Sequence, residues 1–289
     1  MANEVLEFLE TFMRPRLLDA SPPTTLWDDA RPQSVPVVLV LDGWCSASEN
    51  HFSRTLKDKG ALPVRAVSYG RMGMTYHASR TFDPFEVLLD RVRVTYSRHL
   101  AQSSAAFGIA AYSLGSILSL LAIRELSPGQ QSQFWGQLAF FVLVAPPLYG
   151  TSKLFAAISA DEEWIGDCLA AINDDQTDPE HRVPSGTPDA LLALQDPEGI
   201  ASDARALWHE VEQRIGHRAI LVVPNDFFAP WDADSKLGPV QFCEPPAISP
   251  IRLGFRATAP ADMLRHLLIA RDRKTARQVR QLAQSTGFV

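Results

Sequence analysis

The sequence predicts an α/β protein: a mostly parallel central sheet with helices on both faces, plus a helical insertion. Three observations lead there. Short continuous apolar runs such as VPVVLVL and LAFFVLVA suit strands buried on both faces. Segments with helical apolar spacing alternate with these runs, and that alternation builds a parallel sheet. The alternation breaks once, over 151–217, where helical stretches surround a loop rich in Asp, Pro and Thr. The expected organisation is therefore an N-terminal helix and linker (1–34), a core formed by 35–150 and 218–289, and a helical cap or lid (151–217).

Each element follows from its pattern. Val5 to Leu18 carries apolar residues at helical spacing with Glu4, Glu7 and Glu10 opposite, a face for the domain's own core or for a homodimer contact. Pro15 ends or kinks it. Strands are expected at Val35–Leu41, Val64–Tyr69, Ala105–Tyr112, Leu138–Ala145 and Ala219–Val223, with Ile251–Phe255 as a candidate last strand. Helices are expected at Ala47–Lys59, Phe85–Leu100, Gly115–Leu126, within the insertion (SKLFAAISADEEWIGDCLAAI and IASDARALWHEVEQRI), and over Ala261–Gln284. The proline-rich stretch Pro239–Phe255 resists assignment otherwise.

Composition narrows the function classes. The chain has 289 residues, 46% of them hydrophobic, enough for a substantial core. Its formal net charge is -6, with both signs interspersed, so no basic stripe points to nucleic acid and an anionic membrane surface is disfavoured. The longest apolar runs fall short of a membrane span. Cys45, Cys168 and Cys243 are far apart and without metal spacing, which suits a reducing compartment. The N-terminus MANEVLEFLE lacks the pattern of a secretory signal. The expectation is a soluble cytoplasmic protein.

The chemistry is carried by AAYSLGS, where a buried strand meets a helix. A nucleophilic serine must be displayed rigidly, and a sharp strand-to-helix turn does this if the residues two before and two after it are small. Here they are Ala111 and Gly115 around Ser113. The following helix directs its free N–H groups and positive end at developing negative charge, with the N–H of Leu114 as one oxyanion donor. The competing reading is a serine that only caps the helix.

At these residues the chain resembles the α/β-hydrolase superfamily, its serine esterases and thioesterases. VPVVLVLDGW is similar to the first central strand and oxyanion loop, AAYSLGS to the nucleophile elbow, AILVVPNDFFAP to the acid-bearing strand and loop, and HLLIARDRKTARQVRQLAQ to the histidine and closing helix. The family order is serine, acid, histidine. Of seven histidines only His266 follows the last candidate strands, which makes it the base; the alternative is a histidine on a helix surface. Asp226, at the end of AILVVPN, is the preferred acid, with Asp232 and Asp234 as alternatives. The resemblance assigns the second oxyanion donor to the N–H of Trp44. It also leaves Asp42, a carboxylate where the family often has histidine, beside that loop; Asp42 points away or pairs with a base such as Arg71. Cys45 has no evident base to activate it.

Tyr112, Phe227, Phe228 and Trp231, with Trp44, are expected to line an apolar site, joined by Leu154, Phe155, Ile158, Trp164 and Leu169 from the cap. The implied activity is cleavage of a carboxylic ester, or a related acyl bond, of a small apolar substrate through an acyl-enzyme, a mechanism that requires no metal or organic cofactor. Thioester hydrolysis or acyl transfer by the same triad is one alternative. A non-catalytic relative that binds a small molecule or a protein is another.

Overall fold

A computed structural model of the chain describes residues 35–43, 51–67, 85–150, 198–223, 237, 240–242, 266, 269–270 and 272–289. Within these, the strands are β1 (Val37–Leu41), β2 (Val64–Ala66), β3 (Phe107–Tyr112), β4 (Leu138–Val144), β5 (Ala219–Val223) and β6 (Val240–Phe242). The helices are α1 (His51–Asp58), α2 (Phe85–Gln102), α3 (Leu114–Arg124), α4 (Pro128–Gln137), α5 (Ile200–Ile215) and α6 (Arg273–Ser285).

The strands form one six-stranded sheet in the order β2-β1-β3-β4-β5-β6. Every pairing is parallel. The continuous apolar runs have their cause here, because side chains of alternating direction enter two different cores. Leu39, Leu41, Ile109, Ala111, Phe141 and Leu143 join α2, α3 and α5 on one face. Val38, Val40, Ala110, Tyr112, Val142 and Val144 join α1 and α6 on the other. The fold is thus α/β with both faces of the sheet covered, the architecture that the α/β-hydrolase resemblance implies.

Strand order decides where a site can form. The chain moves outward from β1 to β2, then returns to the other side of β1 to make β3. Flanking connections therefore leave in opposite directions at the carboxyl ends of β1 and β3, the place where open parallel sheets form their sites. Leu41 pairs with Ala111 at this end, so Asp42-Gly43 and Tyr112-Ser113 emerge side by side.

Three differences from the sequence reading have physical causes. First, α4 fills 128–137, where no element was expected. Ser127 accepts from Gln130 N–H, Gln130 Oε1 accepts from Ser127 N–H at 3.1 Å, and Pro128 opens the helix. Second, the helix expected over Ala261–Gln284 is not continuous. Ile269 is helical, Ala270 turns, and Asp272 has extended backbone and caps α6 by accepting from Lys274 N–H at 3.1 Å. Third, β6 pairs with β5 through Val240–Phe242, inside the stretch whose prolines obscured it. The candidate strand Ile251–Phe255, the N-terminal helix and residues 151–197 of the expected cap lie outside the described residues. α5, at the end of that insertion, buries Ala204, Trp208, Val211 and Ile215 beside Phe141 and Leu143 of β4. Among the described residues no helix is long and apolar enough to cross a membrane.

Candidate active site

The elbow begins with a strand held on both sides. β3 is hydrogen-bonded to β1 and β4, and the N–H of Ser113 extends the ladder to the carbonyl of Val144 at 2.9 Å. The chain then turns at once into α3. Ser113 has φ 52° and ψ −126°, a left-handed conformation that costs a non-glycine residue on the order of 1–3 kcal/mol. Two groups hold the turn shut: Ser116 N–H donates to the Ser113 carbonyl at 2.9 Å, and Ser116 Oγ donates to the Ala111 carbonyl at 3.0 Å.

The small neighbours are needed because β1 passes so close. A Cβ on Gly115 would lie 2.6 Å from the Asp42 carbonyl oxygen and 2.8 Å from that of Leu41. A Cβ on Gly43 would lie 2.7 Å from the ring of Tyr112 and 2.9 Å from Ser113 Cβ. Ala111 is fully buried in the sheet.

Ser113 does not behave as a helix cap. Its side chain makes no capping hydrogen bond, and its backbone is outside the extended region that caps adopt. Instead Ser113 Oγ lies 2.8 Å from Nε2 of His266, across 153 residues of chain. His266 is 5% exposed, so it is not a histidine of a helix surface. For Ser113 to donate its proton, Nε2 must be the unprotonated ring nitrogen, with the proton on Nδ1.

Leu114 is the first residue of α3, so its N–H belongs to the set of helix donors without an intrahelical acceptor. Trp44, Asp226, Phe227, Phe228 and Trp231, with the alternative acids Asp232 and Asp234, lie outside the described residues.

Tyr112 differs from expectation, and Asp42 takes the first of its two expected orientations, pointing away. Tyr112, expected to contact substrate, is 3% exposed, and its hydroxyl donates to the backbone carbonyl of His266 at 2.6 Å. Its place at the end of β3 turns it into the layer that covers the sheet. Asp42, the carboxylate beside the oxyanion loop, is turned to the start of α1. It accepts from Phe52 N–H at 2.7 Å, Ser53 Oγ at 2.8 Å and Ser53 N–H at 3.4 Å. A charge that would oppose an oxyanion is thus engaged by a helix amino end.

Among the described residues no group of three or more His, Cys, Asp or Glu is arranged to hold a metal ion. The described arrangement sets a displayed alcohol within proton-transfer reach of an imidazole, at the amino end of α3.

No protein-family model and no curated protein sequence matches the chain. Among solved structures it is similar to a hyperthermophilic esterase from the archaeon Pyrobaculum calidifontis at 15% identity and a TM-score of 0.42, covering 90% of this chain and 78% of that one. It is similar to MenH from S. aureus at 11% identity and a TM-score of 0.46, covering 88% and 96%. It is also similar to a fungal esterase from Rhizomucor miehei at 14% identity and a TM-score of 0.45, covering 96% and 91%.

Proposed function

We propose that this chain is a serine hydrolase that cleaves a carboxylic ester of a small apolar substrate through an acyl-enzyme. The observation that carries the reading is the 2.8 Å contact between Ser113 Oγ and His266 Nε2, made by a serine in a strained turn that no capping bond explains.

Ser113 Oγ attacks the ester carbonyl carbon as its proton moves to His266 Nε2. The carbonyl oxygen takes up the negative charge and meets the N–H of Leu114 and, by the family resemblance, that of Trp44. Losing one such donor typically costs about 3 kcal/mol of barrier. The tetrahedral species collapses, and His266 returns the proton to the departing alkoxide, which leaves as the alcohol. Water repeats the sequence on the acyl-enzyme, giving the acid and free Ser113. Asp226 is the proposed acceptor for the proton on Nδ1, where a carboxylate stabilises the imidazolium. The proposed setting is cytoplasmic, with a small-molecule acyl substrate as the partner.

Labelling by a fluorophosphonate tests the reading directly. The folded chain should be labelled at Ser113 and the Ser113→Ala variant should not. Absence of labelling in the folded protein would replace this reading with a binding role. Parallel turnover of p-nitrophenyl esters and acyl thioesters separates the leaving groups, and a preference of several orders for thioesters would move the proposal to thioester hydrolysis.

A further inference from the structure

Tyr112 sits directly before Ser113 and closes β3 against Val144. Its ring is enclosed. The imidazole of His266 lies on one side, with centroids 5.3 Å apart and planes at 35°. Phe52 lies 6.0 Å away at 50°. The backbone of Gly43 is so near that a Cβ there would come within 2.7 Å of ring carbons Cδ1 and Cε1. A ring so enclosed keeps one rotamer, and its hydroxyl reaches the His266 carbonyl at 2.6 Å.

We propose that Tyr112 is a positioning residue for the Ser113–His266 pair. Two consecutive residues hold one histidine at two points: the Tyr112 hydroxyl holds its backbone carbonyl, and Ser113 Oγ meets its Nε2. The peptide joining the two holders is planar and stiff. The separation of base and nucleophile is thereby referred to the end of β3, itself paired to β1 and β4. Proton transfer requires hydrogen-bond reach, and a displacement of about 1 Å can cost about a hundredfold in rate. The catalytic consequence rests on the hydrolase reading, whereas the contact does not.

The test compares Tyr112→Phe with Tyr96→Phe. Tyr96 is a second buried tyrosine, whose hydroxyl pairs with Ser119 Oγ at 2.6 Å between α2 and α3, on the other face of the sheet. Both variants keep their ring and lose one buried hydrogen bond. Two readouts are taken on the whole chain: the saturable inactivation by a fluorophosphonate, and the 15N resonance of His266 Nε2, identified by its loss in His266→Gln. Tyr112→Phe should lower the maximal inactivation rate about tenfold or more, keep the half-saturating probe concentration, and shift the Nε2 resonance. Tyr96→Phe should leave all three at wild-type values. Wild-type behaviour of Tyr112→Phe in both readouts overturns the proposal, as does an equal loss in Tyr96→Phe. If the wild-type protein is not labelled, the hydrolase reading falls. The Nε2 shift then decides alone: a shift specific to Tyr112→Phe upholds the positioning contact, and no shift overturns it.

Discussion

Replacing Gly115 with alanine adds one methyl group where the structure has no room for it. The new Cβ would stand 2.6 Å from the Asp42 carbonyl oxygen and 2.8 Å from the Leu41 carbonyl oxygen. Ordinary contact lies near 3.5 Å, so the two backbones must separate by roughly 0.9 Å. β1 cannot yield easily, being paired on both sides. The elbow therefore moves, and it carries Ser113 away from His266. Overpacking of this kind costs about 1–3 kcal/mol, set against about 1 kcal/mol gained by alanine over glycine in a helix. The net expectation is a loss of about 0–2 kcal/mol in urea unfolding, with fluorophosphonate labelling slowed about ten- to a hundredfold. Gly136→Ala is the matched control. It lies in α4 with nothing within 4 Å of its Cβ position, so it should stabilise by up to about 1 kcal/mol and label normally. A Gly115→Ala protein that is more stable than wild type and labels at the wild-type rate would refute the argument that the elbow is closed by this contact.

Three further outcomes are expected. Burial, and then the nearby Arg65 charge, push the pKa of His99 down to about 4, so it stays neutral in the fold while the unfolded chain takes up a proton below about 6.5. Its contribution is lost as pH falls from about 6.5 to about 4, so urea titrations at pH 7.5 and pH 5 should differ by about 2 kcal/mol more in wild type than in His99→Leu; equal pH dependence would contradict it. Ser113→Gly relieves the positive φ and should raise stability by about 1 kcal/mol while abolishing labelling, which a lowered urea midpoint would disprove. Asp42→Ala leaves Phe52 N–H and Ser53 without their acceptor and should cost about 2–3 kcal/mol in the same unfolding measurement, whereas a neutral change would mean that α1 caps itself.

What could be read from the sequence follows from which forces are local. VVLVL, FGIAAY, LAFFVLV and AILVV are buried on both faces, and no other element type explains runs so short and so apolar. Ala-x-Ser-x-Gly identified the elbow because steric crowding at a tight turn acts on adjacent residues. α4 was equally local, since Ser127-Pro128-Gly129-Gln130 is a capping box with proline at its first position, and it was missed for want of apolar periodicity in PGQQSQFWGQ. β6, only three residues long beside Pro239, carries too little pattern to be seen. Tyr112 was misread for a different reason. An aromatic residue beside a nucleophile can face substrate or core, and only the sheet's pleat and the arrival of His266 from 154 residues away decide between them.

Asp42 shows how a local charge argument is settled by where helices begin. Read alone, a carboxylate at the end of β1 opposes an oxyanion formed a few ångströms away. In the fold, two helix amino ends meet at the switch point, those of α1 and α3, and each offers unpaired N–H groups and a positive dipole end. Asp42 satisfies the first through Phe52 and Ser53. The second has no side-chain cap, because the residue in the capping position, Ser113, directs its oxygen to His266 instead. One amino end is thereby neutralised by the fold's own carboxylate, while the other receives no cap from Ser113, the residue directly before it. On the proposed hydrolase reading the carboxylate and the serine are complementary: a charge placed at α1 leaves α3 as the end available to the charge that appears on a reacting carbonyl oxygen.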